Sequence, residues 1–336
     1  MWLWPRISRS FSSVKSTGCG SYVNRMKVLD NWKINDTAVA SQFDSSDMVL
    51  MIDQRPLILK SPEGPRLFVG STRKIQETLN DFGLIVSIRN SVLLDALPLE
   101  GDKCKALFGC SVQTLEPPHD SGISVDEPRK RLAGVLGASL ISLRLAMLTM
   151  PVEQDRNWIA RMQSLTKWSK IYNYCPKCSS LLRMRHSKSG ASCGQCNRVY
   201  YPTVSPVAIC LVHDKENEHC LLVRHLASMN GVFTTVAGFA EAGESLEEAV
   251  RREIAEEVGI ECEDVQYMGM SQAWPMPNSS LMSAFSAIGS RTDELSIAPD
   301  ELYHAGWFNR QQVLEAIGRT ERDRRSSLPL VRLRIK

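Results

Sequence analysis

Ser245 followed three residues later by Glu248 makes a capping box, Gly259 is a helix stop, and Leu246, Ala249, Val250, Ile254 and Val258 recur between them at helical spacing. The pattern predicts a helix from about Leu246 to Val258. Glu253, Glu256 and Glu257 fall at i, i+3 and i+4, so three carboxylates share one surface, the last two near the negative end of the helix dipole. Local stability does not favour that choice. Taken alone, the run reads as a solvated acidic face on which Arg252 pairs with Glu256. The glycine-bearing turn from Gly238 to Gly243 lets backbone approach an ion, and with it the cluster suits a hard divalent cation held by carboxylates and substrate phosphates.

The full spacing carries more than a helix. Gly238, five residues, Glu244, seven residues, Arg252-Glu253-Ile254, one residue, Glu256-Glu257, one residue and Gly259-Ile260 resembles the Nudix box at every fixed position. Nudix hydrolases act on nucleoside diphosphates linked to another group. The resemblance implies that Glu253 and Glu257 are metal ligands, and that Glu256 is a further ligand or the base. It also implies a metal contact from the carbonyl of Ala237, and support of loop and helix by Glu244 and Arg252.

Upstream lie Cys175-Pro-Lys-Cys178, fourteen residues, and Cys193-Gly-Gln-Cys196. Two such knuckles can close a tetrahedral thiolate site around one Zn²⁺ with no position left for water, so the ion is expected to be structural. Two redox or disulfide pairs are the alternative. His186 lies between the knuckles and is not needed as a ligand.

A ribbon placed directly before the box, entered through Trp168 and Tyr174 and left through Tyr200-Tyr201-Pro202, resembles the NADH pyrophosphatase subfamily. That subfamily carries Ser-Gln-Pro-Trp-Pro-Phe-Pro-x-Ser after the box. Here the array reads Ser271-Gln272-Ala273-Trp274-Pro275-Met276-Pro277-Asn278-Ser279, departing at Ala273 and Met276. A proline-punctuated loop presents an aromatic face at small ordering cost. An edge loop covering core is the alternative reading. The segment from Glu301 to Phe308 resembles the one whose glutamate completes the metal site, which assigns that role to Glu301.

The resemblance implies cleavage of NADH, and also NAD⁺ or NADPH, to AMP and the corresponding nicotinamide mononucleotide. Two or three Mg²⁺ or Mn²⁺ ions would assist, with Glu256, Arg252 and Glu244 as the catalytic group. It places Tyr201, Phe239 and the array Gln272, Ala273, Trp274, Pro275, Met276, Pro277, Asn278 and Ser279 around the dinucleotide, across a homodimer. Removal of NAD caps from RNA is the alternative main activity. A silent NAD or ADP-ribose sensor, or a zinc-ribbon nucleic-acid binder with a decayed box, are the non-enzymatic readings; the intact box argues against the latter.

At 336 residues the chain can bury two cores, and 43% apolar with 23% charged residues is ordinary globular composition. A net charge of +3 is too small to argue for nucleic acid or an anionic membrane by bulk electrostatics, and no stretch qualifies as a membrane helix. Cys19, Cys104, Cys110, Cys210, Cys220 and Cys262 show no framework spacing, which fits a reducing compartment. Residues 1–29 are basic and serine-rich with no acid before Asp30, the composition of a mitochondrial transit peptide; cytoplasmic or peroxisomal placement is the alternative.

The fold class expected is α+β. A mostly-β N-terminal domain (30–160) has strands around 48–52, 57–59, 67–69, 84–88, 92–94 and 106–108, followed by a linker at Glu116–Gly122 and helices over about 129–170. A zinc ribbon (161–203), a Nudix α/β/α sandwich with a mixed sheet (204–325) and a basic tail (326–336) complete the order.

Overall fold

A computed structural model describes residues 21–114, 126–228 and 231–324, with side chains to 318. The described residues fall into two units. One runs to Ala146 and takes in Val152–Pro202; the other comprises Met147–Pro151 and the chain from Thr203. The expected linker and basic tail lie outside the described residues.

In the first unit, strands Asp47–Ile52, Arg55–Leu59, Ser91–Pro98 and Cys104–Val112 form the centre of a sheet in which Asp47–Ile52 runs parallel to Cys104–Val112 and its other pairings are antiparallel. Short strands Arg66–Leu67, Val69–Ser71 and Ser139–Leu140 extend it. The expectation of a strand at 84–88 fails. Leu84–Ser87 is irregular and leads into a 3-10 turn at Ile88–Asn90, where the Ser87 amide donates to Asn90 Oδ1 at 2.7 Å. A short apolar run does not by itself distinguish a strand from a loop pinned to the core, and here only Val86 is fully buried.

The leader expectation also changes. Residues 1–20 lie outside the described residues, but Tyr22–Ile34 is a helix with Leu29 and Trp32 in the core, and Arg25 pairs with buried Asp95 at 3.2 Å. Residues 22–29 therefore belong to the folded domain. A basic, acid-free stretch looks alike whether its apolar residues are buried or not, so the sequence set the boundary too late.

Helix Glu153–Ile171 runs unbroken through the expected border at 160/161. It is tied to the N-terminal sheet because Trp158 Nε1 donates to Asp95 at 2.9 Å, while buried Asp155 accepts from Arg66 Nε at 2.8 Å and the Leu67 amide at 3.0 Å. Buried carboxylates are stable in such a core only when paired in this way. The ribbon follows as three strands, Leu182–Met184, Ala191–Cys193 and Val199–Tyr200.

In the second unit, the expected strands at 207–212 and 220–224 are present as Ser205–His213 and His219–His225. Those expected at 265–270 and 281–288 run longer, as Cys262–Trp274 and Ser280–Gly289, and Val236–Phe239 and Leu302–Asn309 complete six strands. The sheet is mixed: Ser205–His213 runs parallel to Ser280–Gly289 and antiparallel to Val236–Phe239 and His219–His225. Strand alternation places a helix on each face. Leu221 and Val223 pack with Ala249, Val250, Ile254 and Val258 of helix Leu246–Val258, whereas Leu222 between them packs with Phe308 and with Ala316 of helix Arg310–Arg324.

Candidate active site

Helix Leu246–Val258 begins and ends as its sequence specifies. Ser245 Oγ accepts from the Glu248 amide at 3.2 Å, and Glu248 Oε2 accepts from the Ser245 amide at 2.8 Å. Gly259 takes the left-handed conformation at φ 71° and donates to the Ala255 carbonyl at 3.0 Å. The last carbonyls of a helix have no partner within it. Here the Ser296 amide reaches the Val258 carbonyl and the Ala298 amide reaches the Glu257 carbonyl, each at 3.0 Å. The same segment then turns on Ala298, whose carbonyl accepts from the amides of Glu301 at 3.2 Å and Leu302 at 2.9 Å. Glu301 is thereby brought within electrostatic range of Glu253 and Glu257, whose carboxyls its charge raises.

Glu257 is 2% exposed, and its Oε2 has no hydrogen-bond partner among the described residues. Burial first, then the charges of Glu253 and Glu301, push its carboxyl up to about 8. Burial also raises Glu253, against the nearby Arg252 guanidinium. The Glu253 carboxylate lies flat against Gly238: a Cβ there would stand 1.8 Å from Glu253 Cδ.

Arg252 holds the loop to the helix. Its Nε and Nη2 donate to the two oxygens of Glu244 at 2.8 and 3.0 Å, Nη2 also to the Phe239 carbonyl at 2.7 Å, and Nη1 to Glu253 and Glu256, each at 2.9 Å. The Arg252 guanidinium, then the Glu241 amide, hold the Glu244 carboxyl below its ordinary value. The Arg252–Glu256 pair of the solvated-face reading is present, and the Glu256 side chain is 59% exposed. Glu253 and Glu257 are not part of such a face: one is mostly buried and the other fully so.

An acid buried with one oxygen unpartnered and with two like charges beside it lacks a counter-charge, and each orphaned buried polar atom asks for an explanation. A hard divalent ion among Glu253, Glu257 and Glu301 fits that need. Ala237 lies on the adjoining strand, paired with Ile209.

The remaining predicted pocket residues fall into three groups. Phe239, at the end of its strand, is exposed. Gln272, Ala273 and Trp274 are the last rungs of strand Cys262–Trp274, paired with Met282, Leu281 and Ser280, so Trp274 is held by a ladder instead of a free loop. Pro275 is buried beyond it, Met276 and Ser279 are half-buried, and Pro277 and Asn278 are exposed. Tyr201 belongs to the first unit, where it is exposed and has the Arg185 guanidinium 5.8 Å from its ring centre.

In the ribbon the Sγ atoms of Cys175, Cys178, Cys193 and Cys196 all lie within 4.8 Å of one another. Cys175 pairs with Cys196 at 3.6 Å and Cys178 with Cys193 at 3.5 Å, contacts between knuckles that suit one shared ion. The Tyr200 hydroxyl, 3.2 Å away, and the Lys177 and Cys178 amides draw Cys175 down to about 6, while, against the Arg198 amide, loss of water and the neighbouring cysteines push Cys196 up to about 11, so in the metal-free cluster the thiols share their protons unequally. His186 stands apart, its amide donating to Asp36 at 2.8 Å.

Sequence reasoning did not find the amides of Ser296 and Ala298, since a backbone donor leaves no residue signature. Tyr200 was visible only as an aromatic next to the ribbon.

Residues 203–331 match the family described as NUDIX domain. The chain is 49% identical over 315 residues to the NAD-capped RNA hydrolase ndx-9 of Caenorhabditis elegans, covering 94% of this chain and 84% of that one. It is 32% identical over 320 residues to the mouse protein named NAD(P)H pyrophosphatase NUDT13, mitochondrial, covering 93% and 87%. The human protein of the same name is 31% identical over 307 residues, covering 89% and 82%.

Proposed function

The chain belongs to the Nudix hydrolase family, among proteins of the NADH pyrophosphatase type, and on that footing we propose that it hydrolyses the pyrophosphate of NAD-type dinucleotides. NADH would give AMP and reduced nicotinamide mononucleotide. The observation that carries this reading is Glu257: a buried carboxylate with one orphaned oxygen, flanked by Glu253 and Glu301.

Glu253, Glu257 and Glu301, with the Ala237 carbonyl, would hold two or three Mg²⁺ or Mn²⁺ ions. When bound, such ions neutralise pyrophosphate oxygens and lower the pKa of a water. The chain's own residues supply the rest. Arg252 fixes the directions of Glu253 and Glu256 and ties the preceding loop to the helix through Glu244 and Phe239. Glu256, whose side chain is 59% exposed, would accept a proton from an attacking water. Phe239 and the Gln272–Ser279 array would line the dinucleotide, with the second copy of a homodimer completing the pocket; for Tyr201, of the first unit, that role rests on the resemblance alone. One Zn²⁺ on the four cysteines would be structural.

The name of the Caenorhabditis elegans relative favours a second substrate, NAD-capped RNA. The acid-free N-terminus and the printed names of the mouse and human relatives support a mitochondrial location. Among the described residues no helix is long and apolar enough to cross a membrane.

The test is incubation of the pure protein and Mg²⁺ or Mn²⁺ with NADH, NAD⁺, ADP-ribose and NAD-capped RNA, the products read by mass. Release of AMP and the mononucleotide from NADH or NAD⁺, dependent on metal, is the expected result. Tight binding of these compounds without cleavage would make the chain a sensor.

A further inference from the structure

The turn joining the first two ribbon strands is fastened to the N-terminal domain by several hydrogen bonds. The His186 amide donates to Asp36 Oδ1 at 2.8 Å, Ser187 Oγ and Ser189 Oγ both donate to the Lys33 carbonyl at 2.8 Å, and the Leu93 amide donates to the Ser187 carbonyl at 3.2 Å. Held in its middle is Lys188, at φ 62° and only 7% exposed. The left-handed backbone is unfavourable for a residue that carries a Cβ, and nearly all of the Lys188 side chain is packed away while its ammonium still reaches solvent. Lys188 has no hydrogen bond or ion pair on its ammonium among the described residues. The one carboxylate whose charge reaches it, Asp36, is engaged by the His186 amide and lies 3.9 Å from Arg183. Partial loss of water pulls the Lys188 ammonium below its ordinary value, against the charge of Asp36.

Lys188 lines a cavity of about 440 Å³ that lies wholly within the first unit. Arg89 and Lys170 line it too, and no hydrogen bond or ion pair engages either side-chain cation among the described residues. No carboxylate lines it. Ser111 and Thr166 line the same space, and Val92 and Met184 give it an apolar part. Three cations therefore converge on one cavity with no carboxylate on its wall, Arg89 and Lys170 exposed and Lys188 with its stem packed away.

We propose that this cavity binds a phosphate monoester of nucleotide size, with Lys188, Arg89 and Lys170 on the phosphate and Val92 and Met184 against the organic part. The phosphate carries about −1.5 to −2 charges at neutral pH, matching a cationic floor with hydroxyl donors. The volume lies in the range of small-molecule sites and exceeds what an inorganic ion fills. All its lining residues belong to the first unit, so this site is separate from the carboxylate cluster and independent of the hydrolytic reading.

The experiment is calorimetric titration of the full-length protein with AMP, inorganic phosphate and a 5′-phosphorylated oligoribonucleotide. The protein keeps its zinc and is freed of Mg²⁺ and Mn²⁺ by gel filtration in metal-free buffer, so that no divalent ion draws nucleotide to the carboxylates. The variants are Lys188→Met, Lys170→Met and, as a control for the other site, Trp274→Ala. AMP should bind the wild type at one site more tightly than phosphate does. That binding should weaken about tenfold or more in each lysine variant, the loss of a charge-assisted hydrogen bond, and persist in Trp274→Ala. Lys188→Met should melt no lower than the wild type. AMP binding unchanged in both lysine variants, binding lost only in Trp274→Ala, phosphate binding as tightly as AMP, or an oligonucleotide outcompeting AMP would each overturn the proposal.

Discussion

The Glu253 carboxylate occupies the volume that a side chain at Gly238 would need, with a Cβ there falling 1.8 Å from Glu253 Cδ and 2.2 Å from Oε2. What this glycine provides is room, because its φ is not in the left-handed region and an alanine could adopt its backbone.

Gly238→Ala should therefore spare the fold and damage the chemistry. The group in the way is the tip of a flexible side chain, so Glu253 can swing aside at small cost, but it then leaves its place beside Glu257. The expected result is a melting temperature close to wild type with turnover reduced about a hundredfold or more. In a double-mutant cycle with Glu253→Gln the two losses should be far from additive. Additive losses would mean that Gly238 acts through something other than Glu253.

Glu257→Gln removes a carboxyl that the metal-free folded chain keeps near neutral pH only by holding on to its proton. Turnover should fall by about two orders of magnitude or more, while the metal-free protein becomes more stable. A variant with near-normal turnover would remove Glu257 from the proposed ligand set.

The same carboxyl gives the metal-free protein a pH signature. Its folded value of about 8 lies above the ordinary 4.5, so between the two the folded state holds a proton that the unfolded state has released. Glu257's contribution to stability is therefore complete below 4.5 and is lost as pH rises toward 8. Thermal melts of the zinc-loaded protein without added Mg²⁺ or Mn²⁺ should show that decline in the second unit, Glu257→Gln should flatten it, and saturating Mg²⁺ or Mn²⁺ should reverse it, since the ion binds the deprotonated form. A decline identical in wild type and Glu257→Gln would assign it to other groups.

Cys178→Ser or Cys193→Ser should lower soluble yield and the melting temperature of the first unit, because a closed thiolate site supplies folding free energy. Metal analysis should read about one zinc in the wild type. A soluble, zinc-free variant with an unchanged melt would leave the cysteines without a structural role.

Trp274→Ala should raise KM for NADH about tenfold and leave kcat nearly unchanged, the loss of an aromatic contact present in ground and transition states alike. The strand ladder to Ser280 keeps the position in place without the ring. A large fall in kcat with KM unchanged would move Trp274 into the chemistry.

Helix Leu246–Val258 was legible residue by residue, because capping, periodicity and the stop at Gly259 are local properties, and i, i+3, i+4 spacing alone puts Glu253, Glu256 and Glu257 on one surface. The cysteine knuckles were legible for the same reason: four thiols at that spacing have few other uses. Sequence could not rank the three glutamates, since burial is set by partners distant in the chain. Glu257 is enclosed by the core under the sheet, and Glu256 faces water, one residue apart. Nor could it find the helix end tied to the amides of Ser296 and Ala298, which fixes where Glu301 stands. The helix Tyr22–Ile34 and the buried Lys188 were hidden likewise, since a basic segment and a single lysine read as exposed until tertiary packing encloses them. The sequence by itself determined the local elements and which chemical groups they carry. Tertiary structure decided which of those groups lose water, because desolvation depends on contacts between residues far apart in the chain.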